Sequence, residues 1–328
     1  MRPIVVATRT LPEPSLSTLE PDFEVRVLGY APSELDLAAE VPEADALITL
    51  VSDPVTRKVL EAGKRLKVVA NYAVGVDNID LAAAATLGIA VTHTPDALTD
   101  ATADLTIALL LALTRRILEG DRLVRIGGFS GWSPDLLLGS DLKGKTLGIV
   151  GPGRIGKAVA RRARAFGMSV IASGRSLRWE GDSEDLERVS FEDLLRRSDV
   201  VSLHLPMTEE TRGLFNGDTF SKMKRGSILL NTARGPLVEE SALLRALDSG
   251  QLAAAGLDVY ENEPMISPGL LDNDKVVLMP HAGSATVETR LEMARMVVED
   301  VRRVLSGESP LRPVAPEAGP RERERVER

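Results

Sequence analysis

The chain has 328 residues, which is longer than one hydrophobic core usually serves, so its length predicts two domains. It carries 40 lysines and arginines against 48 acidic residues, a formal net charge of −8, with no basic stripe that would suit nucleic acid. It contains no cysteine, which excludes disulfides and thiolate catalysis. The first apolar run is too short for a signal peptide, and the most apolar stretch, 105–113, is too short for a membrane span. We therefore expect a cytoplasmic protein without nucleic-acid or membrane partners.

Short apolar runs alternate with helical segments through the first hundred residues, a pattern typical of βαβ units and a parallel sheet. The predicted strands of this first series are 4–7, 25–28, 46–50, 68–71 and 89–92. A second series follows, with predicted strands at 147–150, 170–172, 200–203, 228–231, 254–258 and 276–279. The sequence therefore predicts two doubly wound α/β units in succession.

A long helical stretch, about 98–126, separates the two series, and its first half is apolar on most of its surface. A helix that is hydrophobic all round needs burial on several sides. It is either a core helix between the domains or part of a subunit interface, and the sequence does not decide between them.

A glycine-rich turn opens the second series. The apolar run 146–150 leads directly into Gly151-Pro-Gly-Arg-Ile-Gly156 and then into a helical segment. In such a turn the first glycine permits the tight bend, the second lets backbone approach a pyrophosphate, and the third lets helix pack on strand. A plain strand-to-helix connector can look similar, but strand, turn and helix in this order favour dinucleotide binding.

The residues after the next strand bear on the choice of cofactor. An NAD-binding protein usually carries an acid there for the ribose hydroxyls, whereas this chain reads Ser173-Gly-Arg-Ser-Leu-Arg178. Arg175 follows Gly156 at close to the expected spacing of about 20 residues. An arginine there suits a 2′-phosphate and favours NADPH over NADH. The alternative is that Arg175 and Arg178 are solvated loop residues.

Three polar residues follow later strands of the second series: Arg234, Glu263 and His281. Open parallel sheets place their ligands beyond the carboxyl ends of the strands. A guanidinium can hold a carboxylate in two hydrogen bonds, and an imidazolium held by a carboxylate can protonate a ketone. These residues predict hydride-transfer chemistry on a 2-keto acid, and no cluster with metal-ligand spacing is present.

Each of the three residues also has a structural alternative. Arg234 could pair with Glu239 or Glu240 on the following helix, and Glu263 could be one acid of a solvated loop. The other two histidines of the chain also follow predicted strands, so position alone does not single out His281. They are His93 and His204.

The end of the chain contains one more helix, predicted over about 287–305. It is followed by glycine, prolines and a run of alternating arginine and glutamate. We expect residues 309–328 to form a flexible tail.

With these motifs in this order, the chain resembles the D-isomer-specific 2-hydroxyacid dehydrogenases, in particular the glyoxylate and hydroxypyruvate reductase branch, from residue 1 to about 308. The motifs are Asn71–Asp77, Thr94–Ala103, Gly151–Gly156, Asn231–Gly235, Gly256–Tyr260 and Pro280–Thr286. The resemblance implies a Rossmann-type dinucleotide-binding domain over 99–285 and a flavodoxin-like substrate domain over 1–98 and 286–308. It also implies a homodimer built largely from the nucleotide domains.

The resemblance implies a role for individual residues. Arg234 would hold the substrate's carboxylate and keto oxygen, and His281 would be the proton donor, supported by Glu263. The backbone N–H groups of Val74 and Gly75 would bind the carboxylate, and Trp132 would reach the active site of the neighbouring subunit. The implied cofactor-binding residues are Gly151, Gly153, Arg154, Ile155, Gly156, Ser173, Gly174, Arg175, Thr232, Ala233, Asp258 and Gly283.

Two positions depart from the family pattern. Thr102-Ala-Asp104 stands where the family usually has a glutamate, and His93 replaces a more usual asparagine. The expected activity is NADPH-dependent reduction of glyoxylate or hydroxypyruvate to glycolate or D-glycerate. The alternatives are a dehydrogenase for another D-2-hydroxy acid, such as phosphoglycerate, and a non-catalytic protein that senses the dinucleotide.

Overall fold

A computed structural model describes residues 2–174 and 186–314 of the chain. The chain divides into two compact units, Met1–Leu98 with Thr286–Arg328, and Thr99–Ala285. Each unit contains one sheet whose strands all run parallel.

The first unit holds a five-stranded sheet. Its strands are β1 (Ile4–Ala7), β2 (Glu24–Val27), β3 (Ala46–Thr49), β4 (Val68–Asn71) and β5 (Ala90–Thr92), in the order β2-β1-β3-β4-β5. This is the flavodoxin-like order. Its helices are α1 (Glu34–Glu40), α2 (Arg57–Ala62), α3 (Leu81–Leu87) and α11 (Val287–Leu305). Val6 and Val5 enter separate cores on the two faces of the sheet, as the two-residue strand period requires.

The second unit holds a seven-stranded sheet. Its strands are β6 (Thr146–Val150), β7 (Ser169–Ser173), β8 (Glu187–Arg188), β9 (Val200–Leu203), β10 (Ser227–Asn231), β11 (Leu252–Leu257) and β12 (Val276–Leu278). Their order, β12-β11-β10-β9-β6-β7-β8, is the Rossmann order with one strand added at an edge. Its helices are α4 (Thr99–Thr114), α5 (Ile117–Arg125), α6 (Arg154–Ala165), α7 (Phe191–Arg197), α8 (Gly217–Lys222), α9 (Glu240–Asp248) and α10 (Pro268–Leu271).

The predicted fold class is confirmed, and every predicted strand is present with ends that differ by at most two residues. The edge strand β8 was missed because its two exposed residues, Glu187 and Arg188, form no apolar run. The final helix, α11, has the bounds that the sequence predicts.

The single long helix predicted between the two series is wrong. The stretch forms two helices, because Arg116 adopts a left-handed backbone conformation with φ of 52° between α4 and α5. α4 packs against α6 and strands β10 to β12 of its own unit, so it is a core helix. α5 has no buried residue.

The start of the predicted flexible tail also needs correction. Leu311 donates its N–H to Asp300 on α11, and Arg312 forms ion pairs with Asp300 and Glu299 at 3.1 and 2.7 Å. Val314 donates its N–H to the carbonyl of Val91 at 2.8 Å. These contacts fix the segment 311–314 against the first unit, while the rest of the predicted tail lies outside the described residues.

Two features are absent from the described part of the chain. Within residues 2–174 and 186–314, no helix is both long enough and apolar enough to cross a membrane. The same residues contain no group of three or more His, Cys, Asp and Glu that could hold a metal ion.

Candidate functional site

The loops that carry the predicted site residues of the second unit lie at one edge of its sheet. All strands of that sheet are parallel, so the loops after β6, β9, β10, β11 and β12 leave from the same edge. The strand order reverses between β6 and β9, the position at which doubly wound sheets bind ligands.

The glycine turn after β6 has the geometry that its sequence predicts. Gly151 has φ of +90°, and a Cβ there would lie 2.6 Å from the carbonyl oxygen of His204. A Cβ on Gly156 would lie 2.6 Å from the oxygen of Gly151, so α6 packs tightly on the turn. Only glycine fits either position.

Gly153, in contrast, faces open space, because a Cβ there would meet no atom within 4 Å. It is the N-cap of the twelve-residue helix α6, and no side chain caps the first N–H groups of that helix. Arg154, the first helical residue, is exposed, and the half-buried Ile155 packs on the apolar core. Uncapped N–H groups beside open space suit the pyrophosphate of a dinucleotide.

The predicted ribose loop is only partly described. Ser173 ends β7, and its carbonyl accepts the N–H of Gly151 at 2.9 Å. A Cβ on Gly174 would lie 2.8 Å from Cδ of Pro152, so this residue packs on the glycine turn. Arg175 and Arg178 lie outside the described residues.

The loop after β10 places Arg234. Asn231 folds this loop, because its side chain accepts the N–H of Ala233 at 3.1 Å and donates to the carbonyl of Arg234 at 2.9 Å. The next residue, Gly235, is so close to the loop after β11 that a Cβ would lie 1.7 Å from the oxygen of Tyr260. The chain at Arg234 is therefore packed directly against the loop that carries Glu263.

Glu263 and His281 form a hydrogen-bonded pair. Oε2 of Glu263 lies 2.8 Å from Nδ1 of His281, and each side chain is 34% exposed. The other carboxylate oxygen accepts the N–H of Tyr260 at 3.0 Å. Burial acts to raise the pKa of Glu263, but the His281 hydrogen bond and charge, the Tyr260 N–H and the charge of Arg234 hold it below its ordinary value. Glu263 is therefore an ionised partner of His281 rather than a solvated loop acid.

Asp258 fixes the backbone that carries His281. Its carboxylate accepts the N–H groups of Ala282 and Gly283 at 2.6 and 2.8 Å, and its carbonyl accepts the N–H of His281 at 2.8 Å. His281 has a left-handed φ of 53°, which this set of bonds holds in place. Burial raises the pKa of Asp258, against the opposing effect of the two N–H groups.

Two buried threonines on α4 contribute to the site in a way that was not predicted. Thr102 donates to the carbonyl of Gly283 at 3.2 Å, and the hydroxyl of Thr106 lies 2.9 Å from that of Thr232. They join the His281 loop and the Arg234 loop to one helix. Two hydroxyl residues four apart in the helical stretch were the available signal, because such residues share one helix face.

The three histidines have different partners. Nδ1 of His93 lies 2.9 Å from the carbonyl oxygen of Val74 in the first unit, and Nε2 of His204 lies 2.8 Å from the hydroxyl of Ser202. Burial lowers the pKa of His204 to about 3, so it is neutral at pH 7. His281 is the histidine with a carboxylate partner.

The remaining predicted residues have varied surroundings. Val74 and Gly75 lie in the loop after β4 in the first unit, and both are partly exposed. Trp132 is 84% exposed in the loop after α5. The carboxylate of Glu240, a predicted alternative partner of Arg234, accepts the N–H of Glu261 at 2.9 Å.

The chain is similar to known proteins over most of its length. The sequence profile of the D-isomer specific 2-hydroxyacid dehydrogenase NAD binding domain matches residues 107–283. The chain is 47% identical over 317 residues to a glyoxylate reductase of Thermococcus litoralis, covering 94% of this chain and 96% of the relative. A solved structure from Thermus thermophilus has a TM-score of 0.89 and 48% identity, with 95% of this chain and 100% of that chain covered.

A further solved structure carries ligands. It is an NADPH-dependent glyoxylate/hydroxypyruvate reductase from Sinorhizobium meliloti in complex with NADP and malonate. Its TM-score is 0.86 and its identity 34%, with 96% of this chain and 97% of that chain covered.

Proposed function

Because this chain belongs to the D-isomer specific 2-hydroxyacid dehydrogenase family and is therefore an NAD(P)-dependent oxidoreductase, we propose that it reduces glyoxylate or hydroxypyruvate to glycolate or D-glycerate. The observation that carries the proposal is the 2.8 Å hydrogen bond between His281 and Glu263, close enough to Arg234 for its charge to lower the pKa of Glu263. The glyoxylate reductases among the relatives support the choice of substrate.

The geometry of the pair supports His281 as the proton donor. Ionised Glu263 can only accept a hydrogen bond, so Nδ1 of His281 carries a hydrogen and Nε2 is left to exchange the catalytic proton. In reduction, Nε2 gives its proton to the keto oxygen as negative charge develops there, and Glu263 stabilises the imidazolium beforehand. Arg234 binds the substrate's carboxylate and polarises the ketone. A bound nicotinamide dinucleotide supplies the hydride.

Three further sets of residues complete the proposed site. The N–H groups of Val74 and Gly75 bind the substrate's carboxylate. The glycine turn and α6 hold the pyrophosphate through Gly151, Gly153, Arg154, Ile155 and Gly156. The residues proposed to contact the rest of the cofactor are Ser173, Gly174, Arg175, Thr232, Ala233, Asp258 and Gly283.

Steady-state kinetics of the purified protein test this function. We expect NADPH to be oxidised with glyoxylate and hydroxypyruvate, and with lower kcat/KM for pyruvate and phosphohydroxypyruvate. His281→Ala should lower the rate by about 10² to 10⁴, the contribution of one positioned acid. An unchanged rate in this variant contradicts the assignment, and dinucleotide binding without turnover of any keto acid favours the sensing alternative.

NADPH is the proposed preferred cofactor. The chain has no acid between Ser173 and Arg178, and the Sinorhizobium relative is NADPH-dependent. A charge-assisted hydrogen bond from Arg175 to the 2′-phosphate is worth about 1.5 to 3 kcal/mol, which is roughly tenfold or more in kcat/KM. Arg175→Ala should remove the preference, and Arg178→Ala is the matched control. Better use of NADH by the wild type at low salt contradicts the proposal.

A homodimer is the proposed assembly. α5 and the loop after it expose a run of large apolar side chains, and the surfaces of monomeric proteins rarely expose such a run. They are Ile117, Leu118, Val124, Ile126, Phe129, Trp132, Leu136 and Leu138. We expect a dimer by sedimentation. Trp132→Ala should impair turnover while NADPH binding stays intact, and an active monomer contradicts the cross-subunit role of Trp132.

A further inference from the structure

The loop after β4 has three consecutive carbonyl groups, each held by a donor from its own unit. The three bonds are Thr94 N–H to the oxygen of Ala73 at 2.8 Å, His93 Nδ1 to the oxygen of Val74 at 2.9 Å, and Asn71 Nδ2 to the oxygen of Gly75 at 2.8 Å. A carbonyl can only accept, so Nδ1 of His93 carries the hydrogen in this bond.

These bonds determine where the neighbouring N–H groups point. The peptide bonds of this loop are trans, and a trans peptide directs its carbonyl and the following N–H to opposite sides. The N–H groups of Val74, Gly75 and Val76 therefore point away from the residues that hold the carbonyls. Within residues 2–174 and 186–314, none of these three N–H groups donates to another group. Successive N–H groups without a protein acceptor are available to bind an anion.

The three donors differ in how firmly they are fixed. Thr94 donates through its backbone. Asn71 is fully buried, and its side chain is also bonded to Thr49 and Asn78. His93 is partly exposed at the end of β5, and its own N–H donates to the carbonyl of Arg312 at 3.3 Å. The peptide between Val74 and Gly75 therefore depends on one side-chain bond from His93.

We infer that His93 is a positioning residue for substrate binding: its Nδ1–H orients the loop so that the N–H groups of Val74, Gly75 and Val76 together receive the substrate's carboxylate. This inference rests on the proposed function, which assigns the carboxylate to Val74 and Gly75, and it adds Val76 and His93 to that assignment. The loop binds the carboxylate equally in the ground state and the transition state, so a weaker contact to the carboxylate raises KM and leaves kcat unchanged.

Two substitutions at His93 separate positioning from general structure. His93→Leu removes the donor, and we expect KM for glyoxylate and for hydroxypyruvate to rise together by about 2- to 10-fold, the range for one neutral hydrogen bond. The kcat, the KM for NADPH and the melting temperature should not change. In His93→Asn the amide nitrogen occupies the place of Nδ1, so this variant should restore the wild-type KM.

The outcomes are distinguishable from failure of the proposed function. A wild-type KM in His93→Leu, a KM in His93→Asn as high as in His93→Leu, or parallel losses in kcat and NADPH affinity would overturn the inference. A wild type inactive with every keto acid would refute the proposed function instead. Calorimetric titration with oxalate, which carries the same carboxylate, then gives the same comparison between the variants without turnover.

Discussion

Replacing Glu263 with glutamine should shift the pH dependence of keto-acid reduction. The carboxamide has nearly the same shape, but its one oxygen can accept from either His281 or Tyr260 and not from both, and it carries no negative charge. A hydrogen bond to a charged group is worth about 1.5 to 3 kcal/mol against about 0.5 to 1.5 for a neutral one. Each side chain of the pair is 34% exposed, and solvent screening brings the expected difference down to about 1 kcal/mol.

The direction of the shift follows from the proton that His281 donates. Reduction requires a proton on this imidazole, so kcat/KM falls on the alkaline side of the profile, and a proton donor without its ionised partner holds the proton less firmly. At about 1.4 kcal/mol per pH unit, the alkaline limb of kcat/KM should move down by about 0.7 unit.

The measurement is kcat/KM for glyoxylate across pH with saturating NADPH. Glu261→Gln is the matched control, because it removes the same charge from the same loop, where its carboxylate accepts the Glu240 N–H instead. The control should keep the wild-type profile. An unmoved limb in Glu263→Gln, or an equal shift in both variants, would show that the pair does not tune the proton donor.

Three other predictions concern stability and packing. Gly235→Ala should lower the free energy of unfolding by about 3 kcal/mol or more and abolish activity, because its Cβ would lie 1.7 Å from a carbonyl oxygen. Gly217 faces open space, so the control Gly217→Ala should unfold at the wild-type temperature or above. Thr106→Val leaves the buried hydroxyl of Thr232 without its partner. The variant should therefore have a lower kcat and a free energy of unfolding in urea that is lower by about 1 to 3 kcal/mol. Thr106→Ser should restore both quantities. The lowered pKa of Glu263 means that its ionised form stabilises the fold above the ordinary value of 4.5, and that this stability is lost as pH falls through the lower folded value. Glu263→Gln should therefore be less stable than wild type to urea at pH 7, and the gap should close well below pH 4.5.

The sequence by itself determined the glycine turn and every strand of the two sheets except β8. Strand positions follow from local apolar runs, and the turn follows from three glycines at fixed spacing, of which Gly151 and Gly156 leave no room for a Cβ. Such signals lie within a few residues of each other, so no knowledge of distant contacts is needed. For the same reason Arg234, Glu263 and His281 could be named as polar residues at strand ends.

Local pattern did not show how those residues are partnered; the family resemblance implied the pair of Glu263 and His281, and the tertiary structure contains it. His281 and Glu263 are 18 residues apart, and the bond between them exists because β11 and β12 are neighbours in the sheet. The choice among three histidines, the anchoring of two loops by Thr102 and Thr106, and the contact between His93 and Val74 likewise join distant segments. The break at Arg116 and the ordered segment 311–314 were also missed. Long-range packing determines these contacts, and a local sequence pattern does not identify which distant segments meet.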